Sequence, residues 1–166
     1  MLVIGVGNTL RGDDDVGREV AERLGNLVGP PLEVRSVFQL LPELAADLAA
    51  ARLAVIVDAS VDLAPGRVSF SRLVGGGARG GPLGHLTHPH ELLDLAAAVF
   101  HAAPPTWLVT VGARAFEIGA PLSPEVERAA DRVVRRLAPR FFRLSHPLGG
   151  EAVVAPRLDN SASGDS

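Results

Sequence analysis

Apolar and polar positions along the chain sort into short apolar runs separated by amphipathic stretches. Leu2–Val6 is a continuous apolar run, the mark of a strand covered on both faces. From Asp14 to Leu27, apolar Val16, Val20, Leu24 and Leu27 recur at helical spacing, with Arg18, Glu22 and Arg23 expected to face out. Residues 32–37, "LEVRSV", alternate like a half-buried strand, and "LLPELAADLAA" (40–50) reads as a helix with Pro42 in its first turn. "LAVIVDA" (53–59) is a second buried strand and ends on an acid. "RVSFSRL" (67–73) alternates again, entered by a turn at "PGR".

A glycine-rich loop, "GGGARGGPLG" (75–84), comes next. "HPHELLDLAAAVF" (88–100) reads as a helix and "TWLVTVGA" (106–113) as a strand. "LSPEVERAADRVVRRLA" (122–138) is an amphipathic helix with Ser123 as N-cap, Pro124 at its first position and acids in its first turn. Strands and helices thus alternate, which predicts an α/β fold: a single-domain three-layer sandwich whose central, mostly parallel twisted sheet carries helices on both faces. The domain is expected over residues 1–143. Residues 144–166, ending "DNSASGDS", form a polar extension expected to be partly disordered.

Composition narrows the function. A chain of 166 residues with 47% apolar content buries a core, and with no Tyr and one Trp that core is aliphatic. Net charge is −3 without a basic stripe, which argues against nucleic acid. With no cysteine there is no disulfide framework, thiolate nucleophile or thiolate zinc site. No apolar stretch approaches membrane-spanning length and no basic leader precedes the first strand, so a soluble, cytoplasmic protein is expected.

The candidate chemistry lies at strand ends, where ligands of open α/β sheets bind. "GVGNTLRGDDDVG" follows the first strand with two of the three glycines of a dinucleotide fingerprint; Leu10 stands at the third. Asp13, Asp14 and Asp15 would repel phosphate from that helix start, and no Gly-Lys-Ser/Thr occurs. Asp13 is expected to act as no more than a favourable charge at the helix dipole. Asp58 follows five apolar residues, where an unpaired carboxylate is costly to bury. Three of the five histidines sit in "GHLTHPHELL". Two carboxylates and one imidazole at one sheet edge would make an open site for nickel, zinc or manganese. Ser60, near Asp58, lacks a nucleophile-elbow context.

These stretches, taken in order, resemble the hydrogenase maturation endopeptidases, which trim the large subunit of nickel–iron hydrogenases. The family's "GxGNxLxGDDGxG" stands here as "GVGNTLRGDDDVG". The likeness continues through "FQLLPELAADLAAARLAVIVDAS", "HLTHPHELLDLA" and "PPTWLVTVGARAFEIGAPLSPEV", covering roughly residues 2–135. It implies an acid–acid–histidine triad that contacts nickel, which is presented by the substrate, and no organic cofactor. By the motif the second acid of the pair is Asp14 and the acid closing the third strand is Asp58. His85, in register with Pro89, Leu92 and Leu93, is the histidine, with His88 as the alternate and His90 on a helix surface.

The implied activity is removal of a C-terminal peptide from a hydrogenase large-subunit precursor, the implied partner. The chain departs from the pattern at Asp15, where the family has glycine. If relatives use positive φ there, Asp is among the less penalised replacements; otherwise a third carboxylate alters the site's charge. Asp15 also keeps in play a non-catalytic relative that binds such a precursor without cleaving it.

Overall fold

The computed structural model describes residues 1–75 and 88–145. The glycine-rich loop beyond Gly75, His85 and the polar extension from residue 146 lie outside the described residues. Strands β1 (Leu2–Val6), β2 (Glu33–Val37), β3 (Ala54–Ser60), β4 (Val68–Leu73) and β5 (Thr106–Gly112) form one sheet in the order β2-β1-β3-β5-β4. The first four of these neighbours run parallel, and β4 closes the edge antiparallel to β5.

Helices α1 (Val16–Val28) and α4 (Pro124–Ser145) cover one face; α2 (Leu44–Ala50) and α3 (Pro89–Phe100) cover the other. The strand period of two divides the apolar residues between these faces. Val3, Val55, Val57, Val109 and Val111 point to α1 and α4, while Leu2, Ile4, Ala54, Ile56 and Leu108 point to α2 and α3. The three-layer sandwich expected from the sequence is the one observed.

Local differences have physical causes. A 3-10 turn, Gly12–Asp15, precedes α1, so the helix proper starts at Val16. Its buried stripe runs Val16, Val20, Leu24, Val28; Leu27 is exposed, because four-residue steps from Val16 land on Val28. Arg23 does not face solvent but reaches α4, donating to Glu19 (2.8 Å), Glu127 (2.7 Å) and Asp131 (2.9 Å). Helix α2 starts two residues after Pro42, because the amides of Leu44 and Ala45 bond back to the carbonyls of Leu41 and Pro42 in a tight turn. Helix α4 continues through Pro139 to Ser145. One missing backbone bond is outweighed by Phe141, which extends the buried stripe of Val126, Ala130, Val133 and Leu137.

The order β2-β1-β3 carries a consequence for function. The chain leaves β1 toward β2 on one side and later returns to β3 on the other, so the carboxyl ends of β1 and β3 flank a topological switch point. Helix α1 is pressed close against those two ends. A methyl group at Gly17 would collide with the backbone carbonyls of Val6 and Val57, and one at Gly5 would collide with the Gly17 carbonyl. Replacing Gly17 by Ala is expected to cost about 1–3 kcal/mol through overpacking, despite the gain of up to about 1 kcal/mol in helix propensity. Urea denaturation of Gly17→Ala against the parent protein measures this; an unchanged midpoint would refute the close packing.

Candidate active site

The segment between β1 and α1 folds on its own hydrogen bonds. The Asn8 side chain accepts the Leu10 amide (2.9 Å), its carbonyl accepts the Arg11 amide (3.0 Å), and the Asp14 amide donates to the Arg11 carbonyl (3.0 Å). The amides of Leu10, Arg11 and Asp14 are thus engaged within the loop itself. At Gly7 a side chain would strike the Asp14 carbonyl. The loop folds directly over the end of β1 and holds the acids there.

The three consecutive acids have three different environments. Asp13 is fully buried (0% exposed). Its Oδ2 accepts the amides of Arg114 (3.1 Å) and Ala115 (2.9 Å), and its Oδ1 accepts the amide of Ser123 (2.7 Å). Its own amide donates to the Ala115 carbonyl (2.8 Å). Burial pushes its pKa up, but the amides of Ala115, Ser123 and Arg114 overcome that and hold it below the ordinary aspartate value. Asp13 is thus a fastener between the β1–α1 segment and the β5–α4 segment, and the helix-dipole role expected for it is too small a description. Sequence reasoning missed this because the partners lie 101 to 110 residues away and are backbone groups with no side-chain signature.

Asp15 adopts ordinary right-handed geometry (φ −80°, ψ −4°), so aspartate is unstrained where the family has glycine. Its carboxylate lies 3.4 Å from the Arg18 guanidinium. Burial raises its pKa against the pull of Arg18, with Glu19, Glu22 and Asp14 adding to the rise.

Asp14, between them, is partly buried at the edge of the switch point. Asp58 pairs with Thr110 inside β3, the middle strand, which runs two residues beyond it to Ser60. Its Oδ1 accepts the Ala59 amide (2.8 Å). Burial, opposed by that hydrogen bond and aided by the charge of Asp14, raises its pKa to about 6. Asp14 and Asp58 thus stand at one sheet edge, with the charge of Asp14 contributing to the raised pKa of Asp58.

His85 lies outside the described residues. The alternate, His88, precedes α3, where its amide donates to Glu91 (3.2 Å) and its exposed ring stacks on His90 at 5.5 Å. Among the described residues no group of three or more His, Asp or Glu side chains converges on a common point for a metal ion. Two carboxylates remain as a hard, oxygen-rich donor pair. Ser60 Oγ accepts the Asp62 amide (3.1 Å) within a local turn, in keeping with its lack of a nucleophile's setting.

No protein-family model and no curated protein matches the chain. Solved structures do. The hydrogenase maturation protease HycI of Thermococcus kodakarensis KOD1 superimposes with a TM-score of 0.66 at 23% identity, over 86% of this chain and 91% of that one. The hydrogenase maturating endopeptidase HybD of Escherichia coli gives 0.62 at 26% identity, over 84% and 90%. A hydrogenase 2 maturation peptidase from a Thaumarchaeota archaeon gives 0.61 at 24% identity, over 85% and 97%. The resemblance carried by the motifs extends to the fold, and this chain has the α/β fold of the hydrogenase maturation proteases.

Two measurements test the site. Asp13→Asn places an amide donor against backbone donors and should cost about 1.5–3 kcal/mol at neutral pH. Because the native pKa of Asp13 is depressed, that difference should fade as pH falls through the native value, below the usual aspartate range. Denaturation of both proteins across that range reads it; a pH-independent difference would contradict the charged role. For Asp58 the sign is opposite: with the native pKa raised, folding loses stability as pH climbs from the ordinary 3.8 toward about 6. Carboxyl NMR should find the Asp58 midpoint near 6, and lower in Asp14→Asn; an unmoved midpoint would show that the two acids are not coupled.

Proposed function

We propose that the chain is an endopeptidase that removes a C-terminal peptide from the nickel-loaded large-subunit precursor of a nickel–iron hydrogenase, in the cytoplasm. One observation carries the reading. The two acids that the motif singles out, Asp14 and Asp58, come together at the switch point of a fold whose solved relatives are named as hydrogenase maturation proteases.

In this reading Asp14 and Asp58 meet a nickel ion held by the substrate, with His85 as the third member of the set. Two carboxylates alone hold a divalent cation weakly, which suits a protease that recognises metal already bound by its target. A carboxylate whose pKa is near 6 is well placed to accept a proton from water attacking the scissile carbonyl, and Asp58 is assigned that role. The alternative of a binding module without activity rested on Asp15. Its relaxed backbone and its partner Arg18 give no sign that it disables the neighbouring acids.

The test is the mass of a cognate precursor after incubation with the protein, with and without nickel. Loss of a C-terminal peptide from the nickel-loaded form alone is expected. Asp14→Ala, Asp58→Ala and His85→Ala should each slow it by about 100-fold or more. An unchanged precursor mass with the parent protein would remove the protease function; full activity in His85→Ala would return the histidine role to His88.

A further inference from the structure

We propose that the carboxyl edge of the sheet is an apolar docking face for the folded precursor protein, separate from the acids that act on its scissile segment. This inference rests on the function proposed above. The parallel strands each give way, at that edge, to a loop bearing an exposed large apolar side chain. Leu10 follows β1 (63% exposed), Phe38 follows β2 (64%), Val61 follows β3 (69%) and Ile118 follows β5 (80%), with Leu41 (45%) beyond Phe38.

Backbone bonds join the loops that carry these residues. The Gly119 amide donates to the Leu10 carbonyl (2.9 Å), which joins the loop carrying Ile118 to the loop carrying Leu10. The Gly7 amide donates to the Val37 carbonyl (2.9 Å), so Phe38 leaves β2 beside the loop that carries Asn8 and Leu10. The Ala113 amide donates to the Ser60 carbonyl (2.9 Å), so Val61 emerges between β1 and β5. With strands about 4.8 Å apart, the four loops span roughly 15 Å. Asp14 and Asp58 lie within that span.

The choice of occupant follows from this placement. Five large, mostly exposed apolar side chains present on the order of several hundred Å², the size at which an exposed patch on a soluble protein marks an interaction site. A short peptide threaded past two carboxylates does not need so wide an apolar border. A folded protein does, because interfaces of standard size cover about 800 Å² on each partner. The charges among these loops, Arg11, Arg114, Asp62 and Glu117, are mixed in sign, so recognition is assigned to apolar contact. The opposite end of the sheet also exposes apolar residues, Leu27 and Val99 among them, but carries neither acid. It provides the control.

The experiment uses the full chain and a nickel-loaded precursor, and measures binding by calorimetry alongside the kcat and KM of cleavage. Phe38→Ser with Ile118→Ser should weaken binding about tenfold or more and raise KM, with kcat and melting temperature little changed. Leu27→Ser should alter none of these. Parent-like binding by the double variant, or equal weakening by Leu27→Ser, would overturn the docking face while leaving the protease function standing. Self-association of the protein alone, abolished by the double change, would assign the face to a second copy and overturn the inference. If the parent protein neither binds nor cleaves the precursor, the proposed function falls and the docking face with it.

Discussion

The buried carboxylate of Asp13 is the interaction on which the rest of this edge depends. A carboxylate moved out of water loses several kcal/mol unless its oxygens are matched by donors. Here three backbone amides do so, all from the stretch between β5 and α4. The exchange is mutual. Residues 113–123 hold neither helix nor strand, and three of their amides find in Asp13 the acceptor that regular structure would otherwise provide. One side chain thereby joins two segments that would each be loosely held alone, and charge-assisted bonds make that junction stiffer than neutral ones would.

Stiffness there matters because of where the next residue stands. Asp14 is one peptide bond from an anchored group, in a turn that Gly7 permits to lie directly over the end of β1. Gly5 and Gly17 let α1 approach β1 and β3 at backbone contact, which sets the start of that helix over the strand that carries Asp58. The raised pKa of Asp58 follows from both placements: a position in the middle strand that water reaches only in part, and a second negative charge brought near by the turn that precedes α1. Neither acid could be moved to the sheet's outer strands and keep this coupling. The switch between β1 and β3 is the place where two neighbouring strand ends diverge and leave room beside them.

The division of labour between core and edge is equally physical. Two apolar layers, one under α1 and α4 and one under α2 and α3, hold most of the sheet's two faces. Arg23 ties α1 to α4 from outside through two acids, Glu127 and Asp131, and each such pair, part-exposed, adds little alone. Most of the apolar burial therefore resides in the layers. The loops are left free to carry acids and exposed apolar residues that a marginally stable core would not tolerate near its own surface.

How much of this was legible in the sequence follows from the range of each interaction. Strand β1 and the first half of β3 were readable because burial imposes apolar runs, and α4 because a long amphipathic period repeats within one stretch. Leu27 misled because spacings of three and four from Leu24 are both compatible with a helix, and only the packing of α1 decides that Val28 and not its neighbour Leu27 is buried. Arg23 misled because α1 is polar on the side that meets α4, and a salt-bridged contact between helices has the same sequence signature as a solvated face. Asp13 and Asp14 make the limit plainest. They are chemically identical neighbours, each following a glycine-rich turn at a helix start, and no local rule separates them. What separates them is whether a backbone more than a hundred residues away offers its amides to one carboxylate or leaves the other at the edge beside Asp58, and that is a property of the fold alone.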